Sequence, residues 1–170
     1  MALSQKRQQE ILRLVGEGSG DLQRDEELAL DEREKRHLQQ LHRERADFLR
    51  TCASAEELDF FAANWDRDGR EKPIHALIEN PHVDAGTLLR LYWYSDPEFY
   101  FLQHRSASEL DDDTDRDIYA TLERIERRLA GSEYKTASIP FDPQGHITMS
   151  DRRSEFARPI AEVMYRPIPG

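Results

Sequence analysis

The residues from Trp65 to Pro97 constrain this chain more than any other stretch. Leu77, Ile78, Leu88, Leu89, Leu91, Tyr92 and Trp93 recur there at helical spacing, which marks them as core-facing. Asn80-Pro81 must break the helix that carries Leu77 and Ile78. Proline lacks the amide proton a helix interior needs, and it disfavours a helical residue before it. Asp84 stands where the N-cap of a second helix belongs, beginning near Ala85, and Asp96-Pro97 closes that helix. The stretch therefore predicts a helical hairpin: a short helix, a tight corner and an apolar helix. Trp65, Asp66, Gly69, Asp84, Gly86, Thr87, Tyr92 and Trp93 are expected to be its scaffold, as caps, close crossings and core.

The flanks are helical too. Residues 4–15 place Ile11, Leu12, Leu14 and Val15 on one side, and the glycines between Gly16 and Gly20 read as a linker. This divides the chain into an N-terminal helix, 1–15, and a helical domain, 21–170. A charge-rich helical pattern runs over 22–51 with Leu28, Leu38, Leu41, Phe48 and Leu49 as its sparse apolar members, and Asp31 is placed to cap a second segment of it. Ser54 and Glu57 have capping-box spacing before a helix that ends near Asn64 and turns Leu58, Phe60 and Phe61 inward. Beyond the hairpin come a short helix or turn over 98–103, an acidic loop over 106–113, and a helix capped by Thr114. That last helix carries Ile118, Leu122, Ile125 and Leu129 and runs to Ala130, with Gly131 as a left-handed C-terminal cap.

After Ser132 the pattern changes. Weak alternation over 134–141, a turn at Asp142–Gly145 and an extended 146–149 predict two short paired strands, followed by a helix over 155–164 interrupted by Pro159. The fold class expected is mainly α: a single helical domain built on a central helical hairpin, with a small C-terminal β-hairpin. A length of 170 residues fits one domain.

Composition excludes several functions. With 24 Lys and Arg against 34 Asp and Glu, the net charge of −10 opposes nucleic acid and anionic lipid and favours a basic protein partner. The basic spots at Arg124, Arg127, Arg128 and at Arg152-Arg153 are balanced by neighbouring acids. No apolar run approaches the roughly 18 residues of a membrane span. The N-terminal residues lack an apolar signal core, so a cytoplasmic location is expected. A single cysteine, Cys52, rules out an internal disulfide and a cysteine-rich zinc site.

Catalysis is not expected. Asp66, Asp68 and Gly69 put glycine fourth, where a calcium loop needs it sixth, and Leu77 stands where the closing glutamate belongs. His75, His82, Asp84 and His104 lack the spacing of a zinc ligand set. Cys52 falls at a helix C-terminus, where the dipole raises a thiol's pKa. There is no nucleophile elbow and no phosphate-cradling loop. Asp111, Asp112 and Asp113 are adjacent and solvated, unlike a buried acid–base pair. No cofactor and no metal are expected.

Binding is the remaining class. Tyr92, Trp93, Tyr94, Phe99, Tyr100 and Phe101 cannot all face inward, and Tyr94 and Tyr100 are expected outside as interface anchors. The partner-binding residues expected beside them are Glu109, Asp111, Asp112, Asp113 and Asp115, with a second patch at Asp25, Glu26 and Glu27.

The central stretch resembles a family, the bacterial domain of unknown function 4274. The resemblance rests on Trp65-Asp66, Asp68-Gly69, Pro81-His82-Val83-Asp84, Gly86-Thr87-Leu88, Tyr92-Trp93 and Gly131-x-x-Tyr134, over about residues 55–145. Many relatives carry cysteine at the position of Val83 and alanine at that of Leu88, so no thiol role transfers here. The resemblance implies an immunity protein of a toxin secreted in bacterial contact competition, such as type VI secretion. The cognate toxin would be a basic, nuclease-type domain acting in the cytoplasm. The alternatives are a helical adaptor or self-associating scaffold, and a metal hydrolase.

Overall fold

The structure, a computed structural model, describes residues 3–16, 31–65 and 71–170, with the side chains of residues 71 and 72 set aside. The described residues form seven α-helices: α1 (Gln5–Gly16), α2 (Glu32–Thr51), α3 (Ala55–Asn64), α4 (Glu71–Glu79), α5 (Ala85–Tyr94), α6 (Pro97–Gln103) and α7 (Asp113–Ala130). The mainly helical class expected from the sequence is observed. The chain divides into two compact units at Asn80 and Pro81, so the two rods of the expected hairpin, α4 and α5, fall in different units. Gly16 is the last residue of α1, while the rest of the expected linker, 17–20, and the start of the charge-rich pattern, 22–30, lie outside the described residues.

In the first unit α1 packs on α2 and α3, and α4 packs on α2 and α3. Helix α1 buries Ile11, Leu14 and Val15. Asp31 starts α2 with a complete capping box: its carboxylate accepts from the Arg33 and Glu34 amides, and Glu34 accepts from the Asp31 amide at 2.8 Å. The second box is only half made. Ser54 Oγ accepts from the Glu57 amide at 3.3 Å. Glu57 does not reach back, because Arg7 of α1 donates to both its oxygens, at 2.8 and 2.6 Å. Two charge-assisted bonds outcompete one bond to a neutral amide, and they tie α1 to α3. Phe60, expected on the inner face, is half-buried beside buried Leu58 and Phe61.

Two buried polar side chains lock the unit. Arg45, 5% exposed, donates from Nε to the Leu14 carbonyl at 2.7 Å and lies 4.7 Å over the Trp65 ring. Asn80 Nδ2 donates to the Leu49 and Cys52 carbonyls at 2.7 and 3.0 Å, satisfying the orphaned end of α2.

In the second unit α5 and α6 pack against α7. Asp84 caps α5, accepting from the Gly86 amide at 2.8 Å. The helix buries every residue from Ala85 to Trp93 except Arg90. Asp96 adopts φ 51° and starts α6, with Pro97 in the first turn. The cap of α7 is Asp112, not Thr114, because the longer-reaching carboxylate accepts from two amides, those of Thr114 and Asp115. At its other end Gly131 is right-handed and the left-handed residue is Ser132, φ 54°. The Glu133 amide bonds to Arg128 O and the Ser132 amide to Leu129 O, a Schellman closure one residue later than expected.

The expected β-hairpin does not form. Residues 132–170 contain only one isolated antiparallel bridge, Phe141 with Ile168. The amides that would have built a ladder are taken by buried carboxylates. Asp84 accepts from Ser138 N and Ile139 N at 2.8 and 3.2 Å, and Glu98 from Thr148 N and Met149 N at 2.9 and 3.0 Å. Pro140 and Pro143 have no amide proton to give. The segment is instead a strap laid over the helices, with 3₁₀ turns at Pro143–Gly145, Ser150–Glu155 and Glu162–Tyr165 where a turn and a helix were expected. Its end is anchored by Phe156, Ile160 and Met164, all buried, and by Trp93 Nε1 donating to Met164 O at 2.8 Å.

Candidate functional site

The acidic segment before α7 is an ordered corner. Arg116, one turn into α7, staples it by donating from Nε to Leu110 O at 2.8 Å, from Nη2 to Asp111 O at 2.9 Å, and from Nη1 to the Asp113 carboxylate. The Glu109 carboxylate accepts from the Arg105 amide at 2.8 Å and closes the short 3₁₀ turn Ala107–Glu109. Backbone amides of Asp115 and Thr114 hold the Asp112 carboxyl below its usual range. Acids at this end complement the helix dipole. Asp111, Asp112 and Asp113 remain exposed, and the Asp113 side chain is 96% exposed despite its pairing.

The aromatic anchors are distributed differently from the expectation. Tyr94 is outside, at 49% exposure, with its ring edge-on to His146 at 4.9 Å and to Phe141 at 6.2 Å. Tyr100 is not outside. It is 6% exposed, and its hydroxyl donates to Asp115 Oδ1 at 2.9 Å. The exposed ring of α6 is Phe99, also 49% exposed, edge-on to Tyr100 at 5.1 Å. On a helix, adjacent residues point about 100° apart. One of these two rings had to face α7, and Tyr100 is the one with a polar tip to place. Phe99, Tyr100 and Asp115 thus join an exposed ring to the acidic corner. The second expected patch, Asp25, Glu26 and Glu27, lies outside the described residues, as do Asp66 and Gly69.

The other ionisable clusters are interior. Glu126, 6% exposed, accepts from Tyr92 Oη at 2.7 Å, from Arg158 Nη2 at 2.5 Å and from the Ala161 amide at 3.3 Å. Burial, then the neighbouring Glu126 charge, pushes the Tyr92 hydroxyl well above its usual range. Burial works against the charge on Arg158, but its bond to Glu126 outweighs this and raises its pKa. The guanidinium also lies 4.1 Å over the Phe101 ring. Sequence reasoning missed this group, since nothing local relates Tyr92, Glu126 and Arg158. Cys52 is buried, and its thiol is pushed up to about 11, chiefly by that burial. Among the described residues no three His, Cys, Asp or Glu side chains are grouped to hold a metal, and no helix is long and apolar enough to cross a membrane.

No curated protein and no solved structure matches the chain. Residues 53–130 match the family described as a domain of unknown function, DUF4274, so the stretch from the α2–α3 junction to the last residue of α7 is similar to that family, and the strap lies beyond it.

Proposed function

We propose that this protein is an immunity protein: it binds a cognate secreted bacterial toxin and neutralises it by protein–protein contact, with no chemistry of its own. The observation that carries this reading is the acidic corner of the second unit, where Asp111, Asp112 and Asp113 are exposed, Arg116 holds the Asp111 carbonyl and the Asp113 carboxylate, and Asp115 bonds Tyr100, whose ring lies edge-on to the exposed Phe99. A fixed array of acids beside an apolar anchor suits a basic partner, because complementary charge speeds encounter and the buried ring slows departure. A chain of net charge −10 adds to that steering. The resemblance drawn from the sequence implies the same role, against a basic, nuclease-type toxin in the cytoplasm.

The test is co-expression with the protein encoded by the adjacent reading frame. Growth rescue and co-purification are expected, with association slowed and its salt dependence flattened in Asp111→Ala/Asp113→Ala. Asp112 is spared because it caps α7. Affinity and salt dependence equal to the parent would remove the acidic corner from the interface. Self-association with no captured toxin would favour the adaptor reading.

A further inference from the structure

Three buried carboxylates bind the strap to the helices, beside backbone bonds such as Ala85 N to Thr136 O at 3.0 Å and Arg158 N to Phe101 O at 3.0 Å, and the three are not equivalent. Asp84 accepts from the Gly86 and Ser138 amides at 2.8 Å and from Ser138 Oγ and the Ile139 amide at 3.2 Å, with the Thr136 hydroxyl beside it. Glu98, 3% exposed, accepts from Thr148 N at 2.9 Å, Thr148 Oγ1 at 2.5 Å and Met149 N at 3.0 Å. All of these donors are neutral. Glu126 is different, since Arg158 of the strap brings a full positive charge to it. Apolar burial follows the same division. From 136 to 149 only Pro143 is buried, whereas Phe156, Ile160 and Met164 are buried in the later part.

We propose that the strap is an acid-releasable element that opens in order: residues 136–149 detach first, starting at Asp84, while 156–165 stay clamped by Glu126 and Arg158. Protonating a carboxylate turns an acceptor oxygen into an O–H donor facing the amides it had been holding. Residues 136–149 bury only Pro143 to replace those bonds, whereas the later part keeps the charge-assisted Arg158–Glu126 bond and three buried apolar side chains.

The sign follows from Asp84. Burial pushes its carboxyl up, but hydrogen bonds from Ser138, Thr136, Gly86 and Ile139 outweigh this and hold it below its usual range. Such a group stabilises the closed strap above its unfolded value and loses that contribution as pH falls, so opening belongs at roughly pH 4 and below. Other ionisable groups lie close by. His82 and Lys135 face each other at 3.4 Å near the Asp84 contact. Tyr165 feels the charges of Glu98 and Glu126 and has Arg153 over its ring at 3.6 Å. Glu123 is 3.8 Å from Arg158. The strap itself carries exposed Asp142 and also His146, stacked on Phe141 at 5.3 Å, with Arg90 5.9 Å from the same ring. Opening also breaks the Phe141–Ile168 bridge.

The test is amide hydrogen exchange on the full chain, corrected for intrinsic pH dependence, at neutral pH and at about pH 2. Amides of 136–149 are expected to exchange roughly ten- to hundredfold faster in acid, the loss expected on weakening bonds to a charged acceptor. Those of 156–165 and α7 should keep their protection. Asp84→Asn and, separately, Glu98→Gln should each reproduce part of this opening at neutral pH. Joint loss of protection over 136–165 would overturn the proposal. So would an unaltered strap in both variants, or an acid transition abolished by His146→Gln.

Discussion

Gly86 sits in the first turn of α5 where the strap crosses, and replacing it by alanine tests how that crossing is held. In a helix of ordinary surroundings Gly→Ala stabilises by about 1 kcal/mol, through propensity and a less disordered unfolded chain. Here the added Cβ would stand 1.8 Å from the Ile139 oxygen and 2.8 Å from its carbonyl carbon. Restoring a non-bonded separation of roughly 3.5 Å requires the strap backbone to move by about 1.7 Å. That stretches the Ser138 and Ile139 bonds to Asp84, now 2.8 and 3.2 Å, beyond hydrogen-bonding range. Two bonds to a charged acceptor contribute about 3–6 kcal/mol, and after the propensity gain the net loss is about 2–5 kcal/mol. Urea unfolding followed by circular dichroism measures it. Gly145→Ala is the control, since nothing lies within 4 Å of a Cβ there, and a change within about 0.5 kcal/mol is expected. Gly86→Ala as stable as the parent, or more so, would refute a strap held by close approach.

Asn80→Ala leaves the Leu49 and Cys52 carbonyls without their buried donor. A loss of about 2–4 kcal/mol is expected in thermal melts, and one under about 0.5 kcal/mol would deny Asn80 its role at the end of α2. Arg158→Met strands the Glu126 charge and should cost roughly 3–5 kcal/mol, much of it recovered in combination with Glu126→Gln. A double-mutant cycle with no coupling between the two would contradict the buried pair. A Cys52 pKa raised from 9.0 to about 11 means roughly a hundredfold less thiolate at pH 8 than in an ordinary thiol. Iodoacetamide should modify native protein correspondingly slowly, gaining about tenfold per pH unit until that pKa is approached. Alkylation at the rate of the unfolded chain would refute it.

The legible parts of this fold are those decided within a few residues. Helix periodicity, the breaks at Asn80-Pro81 and Asp96-Pro97, and the caps at Asp31, Ser54 and Asp84 all follow from local backbone chemistry. Near misses were of the same local kind. Asp112 outreaches Thr114 for the α7 cap, and Ser132 takes the left-handed position expected of Gly131. In the candidate site the sequence placed the exposed acids at 111–113 and Tyr94 outside, but it exchanged Tyr100 for Phe99. Which of two adjacent rings turns inward depends on where α7 offers a carboxylate, and that is not written in the α6 segment.

The strap shows the other side. Alternation and a turn signal over 134–149 describe a hairpin as well as any local rule can, yet its amides bond to Asp84 and Glu98, about 50 residues earlier. A buried carboxylate must find donors somewhere, and the strap supplies them, so the strand ladder loses to a charge that only the folded helices bring near. By itself, then, the sequence determined the helices, their ends and the acidic character of the surface, because these rest on contacts within one or two turns. The tertiary structure alone decided which acids face solvent and which hold the chain together, because that depends on partners remote in sequence and on burial.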